Sequence, residues 1–112
     1  MCLFLSGSTF AQNQQKADSL ILVLSEQGDF SDSLLMVTTL QIILSSSQNE
    51  EIIKYSELLI EKARKLKLPS FEIQGNVGLG IAYRQENDIQ RSLSHLFKAA
   101  TLATKSNRKD LL

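Results

Sequence analysis

Apolar residues recur along this chain at spacings of three and four, and the strict alternation of a half-buried strand is missing. The pattern predicts five helices, at about 14–27, 30–46, 48–67, 69–86 and 88–106. In the first, Leu20, Val23 and Leu24 share a stripe. In the second, Leu34, Val37, Leu40, Ile43 and Leu44 fall on one face. In the third, Ile52, Leu59, Ala63 and Leu66 mark a face that Ile53, Leu58 and Ile60 widen. In the fifth, Ile89, Leu93, Leu96, Phe97 and Ala100 make the stripe expected to face the core. The closing "KDLL", 109–112, reads as the start of a further helix.

Polar punctuation supports these boundaries. Gly28 suits the left-handed residue that ends a helix. Asp29 suits the cap of the next, and Asp32 lies in its first turn, where the helix dipole favours an anion. Ser47 and Glu50 have the spacing of a capping box. Pro69 stops the third helix and opens the fourth. Asp88 caps the fifth, after Asn87 in a left-handed turn. Lys62, Arg64, Lys65 and Lys67 crowd the end of the third helix, where cations complement the dipole; a basic docking patch is the alternative. Connections of two to four residues make successive helices antiparallel neighbours.

The stretch "IQGNVGLGIAYRQEND", 73–88, tests the helical reading, because it holds Gly75, Gly78 and Gly80. A phosphate-binding loop needs a strand before it and the order G-x-G-x-x-G or G-K-[ST]. Here the order is G-x-x-G-x-G, and the preceding residues, "LPSFEIQ", show no strand run. Three glycines inside a helix cost about 1 kcal/mol each relative to alanine. Close approach of another helix offsets that cost, because a glycine removes the side chain that holds two backbones apart. The glycines therefore predict a helix pressed between neighbours.

Composition narrows the function classes. One domain of 112 residues, 43% hydrophobic and 21% charged, has enough apolar material for a core. Zero net charge argues against a nucleic-acid partner. The charge is nonetheless divided: residues 1–53 hold one Lys against six acids, net −5, and residues 54–112 hold eleven Lys/Arg against six acids, net +5. The one cysteine, Cys2, has no disulfide partner, and the one histidine, His95, has no second ligand for a zinc site. Glu50–Glu51 and Glu57–Glu61 fall on solvent faces, whereas acid–base catalysis needs two carboxylates in different, partly dry surroundings. His95 lies off the main stripe of its helix, at the rim. No catalytic residue, metal site or cofactor is expected.

The first eleven residues resemble the tail of a secretory signal: Cys2–Leu5 are apolar, and Thr9-Phe10-Ala11 places small residues before a cut after Ala11. The stretch has no basic n-region and a short apolar run, so either the start lies upstream or this is an N-terminal arm. The expected compartment is the periplasm if the signal is real and the cytoplasm if it is not. No stretch reaches the roughly 20 apolar residues of a membrane span.

Residues 73–104 resemble a tetratricopeptide repeat, a pair of antiparallel helices in about 34 residues. Asn76, Leu79, Gly80 and Tyr83 stand at the first-helix positions of that repeat. Asn87 and Asp88 make its turn. Ile89, Ser92, Leu96 and Ala99 stand at the second-helix positions. A weaker repeat lies 36 residues earlier, with Ser56 and Ala63 at the small positions and Ile60 between them. Residues 14–27 then resemble a capping helix.

The resemblance implies an all-α fold, with helix pairs stacked into a right-handed solenoid across residues 12–112. It further implies a concave face that binds a protein or peptide, with Glu72, Asn76 and Arg84 pointing into it. The whole arrangement is similar to the exported N-terminal repeat region of signalling proteins from Bacteroidetes-type bacteria. There a membrane span and an output module (a histidine kinase, a nucleotide cyclase or a DNA-binding regulator) follow. It implies a sensory or scaffolding part of a signal-transduction protein, with the array continuing beyond this chain. The alternative is a spacer or homo-oligomerising array without a ligand.

Overall fold

The computed structural model describes residues 2–26 and 31–111, with side chains described for 13–25 and 31–107. Its described residues form five α-helices and no strand: α1 Cys2–Glu26, α2 Asp32–Ser45, α3 Asn49–Leu66, α4 Pro69–Gln85 and α5 Ile89–Leu111. The two outer helices are longer than the periodicity predicted. α1 begins at Cys2 rather than near residue 14, and α5 continues through the stretch expected to start a sixth helix. No Gly or Pro interrupts α5 after Ile89, so nothing ends it there.

The caps follow the sequence in part. Gly28 and Asp29 lie outside the described residues; the N-cap of α2 is Ser31, whose hydroxyl accepts from Leu34 N–H at 3.3 Å. Asp88 caps α5 as expected, its Oδ1 accepting from Arg91 N–H at 3.2 Å. The expected capping box is absent. α3 starts after Gln48 with no side-chain cap. Ser47 is instead bound from α1: Gln14 Oε1 accepts from Ser47 N–H at 2.7 Å and from its hydroxyl at 2.9 Å. Gln14 Nε2 donates to Glu51 at 3.0 Å, which completes a polar clasp between α1 and the start of α3.

Two non-glycine residues take left-handed backbone, Lys67 at φ 56° and Asn87 at φ 65°. Each closes a helix by the same pair of bonds. Leu68 N–H reaches Ala63 O at 2.9 Å and Lys67 N–H reaches Arg64 O at 3.3 Å; Asp88 N–H reaches Tyr83 O at 2.8 Å and Asn87 N–H reaches Arg84 O at 3.0 Å. These reversals fold α4 back on α3 and α5 back on α4.

Each helix packs on the next, and α2 also reaches α4, while α3 and α5 make no helix–helix contact among the described residues. The molecule measures 52 × 37 × 23 Å. The core joins Met36, Ile42 and Ile43 of α2, Ile52, Tyr55, Leu59 and Ala63 of α3 and Ala82 of α4, with Leu20, Ile21 and Leu24 of α1 packed against it.

The predicted stripe of α3 is buried in the main, although Leu58 is exposed; that of α1 is half-buried at Leu20 and Leu24 and exposed at Val23. Two others are corrected. α2 is apolar on most of its circumference, and it buries Met36, Thr38, Thr39, Ile42 and Ile43 while Leu34, Val37 and Leu44 face solvent. α5 buries Ser92 and Ala99 and leaves Ile89, Leu93, Leu96 and Phe97 exposed. Ser92 and Ala99 face α4 because the helices approach closely there, and the one large side chain that turns to α4, Leu96, seats on Gly80, which has none of its own.

The glycines explain that approach. A Cβ on Gly75 would lie 2.5 Å from Ile60 Cγ1, and one on Gly78 would run into Ser56 Oγ, so both positions face α3. A Cβ on Gly80 would lie 2.6 Å from Leu96 Cγ, so it faces α5. α4 is thus held on one side by Ser56 and on the other by Ser92, whose hydroxyl donates to Gly80 O at 2.7 Å. The two serines, equivalent at the 36-residue offset, therefore touch opposite sides of one helix. Counted from the N-caps Gln48 and Asp88, it is Ile52 and Leu59 that occupy the places of Ser92 and Ala99.

Candidate functional site

Two grooves flank α4. The first lies between α2 and α4, holds about 190 Å³, and is walled by Leu40 and Leu44 on one side and Val77 and Ile81 on the other, with Gln74 and Gln85 at its edges. No charged residue lines it. It exists because Gly78 lets α4 settle near Ile43, which leaves the outward stripes of both helices parallel and uncovered. Leu44 is 72% exposed and Ile81 39%.

The second groove, about 440 Å³, runs between α3 and α5 with Asn76 and Leu79 of α4 as its floor. Its walls carry Glu57, Glu61, Arg64 and Lys65 from α3 and His95 and Lys98 from α5. It continues past Glu72, Phe97 and Thr101.

Asn76 organises this floor. It is 1% exposed, and its Nδ2 donates to Glu72 O at 3.1 Å, so its Oδ1 is free to accept. His95 Nδ1 lies 3.0 Å from that oxygen. Since Asn76 Oδ1 carries no hydrogen, Nδ1 is the protonated nitrogen and Nε2 keeps the lone pair. Tyr83 stacks on the imidazole with centroids 5.7 Å apart, and the Arg91 guanidinium lies 5.5 Å from the Tyr83 centroid on α5's first turn. Burial holds His95 below the usual imidazole range; Lys98 and Arg91 push it further down, against a smaller opposing pull from Glu57 than that of Lys98.

The expected groove residues do not share one surface. Glu72 and Asn76 line the α3–α5 side, where Glu72 pairs with Arg64 Nε at 3.0 Å. Arg84 is exposed near the other end of α4 and lines neither groove. The spacing is the reason: 72, 76, 79 and 83 form one stripe of α4, turned to α3 and α5, whereas 74, 77, 81 and 85 form another, turned to the α2 side. That second stripe was readable as two apolar residues flanked by glutamines at helical spacing. The pairing of His95 with Asn76, on neighbouring helices and 19 residues apart, had no sequence signal.

Of the repeat positions, Leu79, Ser92 and Ala99 are buried, Tyr83 and Asp88 are half-buried, Leu96 is exposed but touches Gly80, and Gly80 is buried. The basic cluster ending α3 is tied down by ion pairs: Lys62 to Asp32 at 3.0 Å, Arg64 to Glu72, and Lys65 to Glu61 at 3.5 Å. The first two join α3 to α2 and to α4, and the third lies within α3. Among the described residues, no helix is long and apolar enough to cross a membrane, and no three His, Cys, Asp or Glu side chains gather as metal ligands.

Comparison of the chain with protein-family models, with curated proteins and with solved structures finds no match.

Proposed function

We propose that this chain is a tetratricopeptide-like helical-repeat module that binds a protein or peptide and does no catalysis. The observation that carries the reading is the uncharged α2–α4 groove, an apolar trough edged by Gln74 and Gln85. Glutamine amides offer both a donor and an acceptor to a peptide backbone, and the apolar walls suit uncharged side chains. The ligand is therefore an extended, uncharged, apolar peptide segment. The reading of the fold as a repeat stack is supported by the order of contacts, in which α2 meets α4 at Ile43 and Gly78 while α3 and α5 stay apart.

The sensory role in an exported signalling protein rests on the residues before Ala11. A cut after Ala11 leaves Gln14, Ala17, Leu20, Ile21 and Leu24 in the chain.

Screening labelled peptides against the protein tests the groove. Uncharged apolar sequences are expected to bind, and Ile81→Asp, at an exposed position, is expected to weaken them at least tenfold, since a charge would be desolvated in the trough. Equal affinity for the parent and for Ile81→Asp would place the ligand elsewhere.

A further inference from the structure

A charge already paired within the fold has little to offer a ligand, and the α3–α5 groove holds both paired and unpaired ones. Lys65 is paired with Glu61. Arg64 meets Glu72 through Nε, which leaves its terminal NH2 groups for a second acceptor. Glu57 of α3 and Lys98 of α5 also line the groove, and among the described residues neither forms an ion pair. They stand on opposite walls, held apart because α3 and α5 make no contact with each other. Burial lowers the His95 pKa, Lys98 lowers it further and Glu57 opposes, so both charges lie close to the ring.

These groups are ordered along the groove. Glu57 and His95 line its first stretch alone. Arg64 and Lys98 line both stretches, with the buried Asn76 beneath them, and so mark the junction. Phe97 and Leu102 line the second stretch alone. The first stretch accepts hydrogen bonds, through the Glu57 carboxylate and through His95 Nε2. Nδ1 of that ring is committed to Asn76, and Nε2 takes no bond among the described residues. The junction donates, from two cations on facing walls. The second stretch offers an exposed aromatic ring.

This arrangement discriminates among ligands. A simple anion in the groove would leave Glu57 unanswered, and a simple cation would leave Lys98 unanswered. An uncharged apolar molecule would take both away from water without replacing it. A free α-amino acid carries an ammonium, a carboxylate and a side chain on one carbon, and so meets all three demands at once. The first stretch alone, about 440 Å³, lies within the span of small-ligand sites, roughly 300–1,000 Å³.

We propose that the α3–α5 groove binds a free α-amino acid with an apolar side chain. Its ammonium lies on Glu57 and His95 Nε2, its carboxylate lies between Lys98 and Arg64, and its side chain runs toward Phe97 and Leu102. The proposal does not rest on the peptide groove, which lies on the other side of α4, and its test uses no peptide.

Titration of the full chain with leucine and with phenylalanine, followed by NMR of the His95 ring protons, reads it. A saturable shift is expected. N-acetyl-leucine lacks the ammonium and leucinamide lacks the carboxylate, and each is expected to bind at least about tenfold more weakly than leucine, since a hydrogen bond to a charged group is lost. Glu57→Gln and Lys98→Gln each alter an exposed position, and circular dichroism checks that each stays helical. Each is expected to weaken leucine by a similar factor. Glu57→Gln should also narrow the gap between leucine and its acetylated form, and Lys98→Gln the gap between leucine and its amide. The absence of a saturable shift with both amino acids overturns the proposal. So does equal affinity of the parent for leucine and either blocked form, or binding of leucine by either folded variant as tightly as by the parent.

Discussion

His95 shows how one side chain can be misread from its neighbours in sequence and explained by its neighbours in space. Between Leu93 and Leu96 it reads as a rim residue, yet Asn76 and Tyr83 of another helix fix its tautomer and half-bury it. That environment has a consequence for stability. The folded chain holds His95 below its ordinary pKa of 6.5, so on acidification the unfolded chain takes up the proton first. His95 therefore contributes most above about pH 6.5, and its contribution falls as the pH drops from there toward the folded value. The melting temperature of the parent is expected to fall between pH 7.5 and pH 5 by more than that of His95→Gln. As the chain's one histidine, its ring protons also report the titration directly by NMR. A midpoint at or above the ordinary value would contradict the described environment. Ser47 teaches the same lesson: its spacing to Glu50 was that of a cap, but Gln14 from α1 holds its amide and hydroxyl, and no local rule foresees a competitor 33 residues away.

Among the elements, α4 is the one whose sequence and packing explain each other most fully. Its three glycines, unfavourable for an isolated helix, are the points where α3 and α5 press in, as the cost of glycine in a helix led one to expect. Gly80→Leu should force Leu96 away from α4 and strain the Ser92 hydrogen bond, a loss of about 1–3 kcal/mol or more, read as a melting temperature lower by at least several degrees. An unchanged melting temperature would mean that α4 and α5 do not meet there. α5 was harder to read. Ile89, Leu93, Leu96, Phe97 and Ala100 form an amphipathic stripe, and such a stripe is normally the core face. Here Ser92 and Ala99 take that role, since Gly80 brings the backbones together; of the stripe, Leu96 touches Gly80 and the others point outward. Periodicity reports that a helix has two different faces; it does not report which one the same chain covers.

At the scale of the whole molecule, the central cluster draws on α2, α3 and α4, with α1 packed beside it, and takes no side chain from α5. α1 packs mainly on α2, with Gln14 reaching Glu51 of α3, and α5 packs on α4. Stability in such an arrangement is close to a sum of neighbour contacts, so the ends open before the middle. Hydrogen exchange followed by mass spectrometry should find the amides of α3 and α4 best protected and those of α5 exchanging through openings that leave α3 intact. Uniform protection across all five helices would indicate one indivisible unit instead. The all-helical architecture was legible in the spacing of apolar residues and in Pro69, Asn87 and Asp88. The placement of grooves was not, because it depends on which stripe of α4 each neighbour occupies, and that is settled by contacts between helices.

The glycine-rich α4 also sets an order of events as the chain leaves the ribosome. A segment carrying Gly75, Gly78 and Gly80 has little tendency to coil by itself, and short helices are marginal in water in any case. While residues 69–85 emerge, the Ser56–Ile60 side of α3 stays bare until α4 settles on it. A nascent chain halted just short of Pro69 would thus carry sticky, unsettled surface, the condition in which molecular chaperones engage.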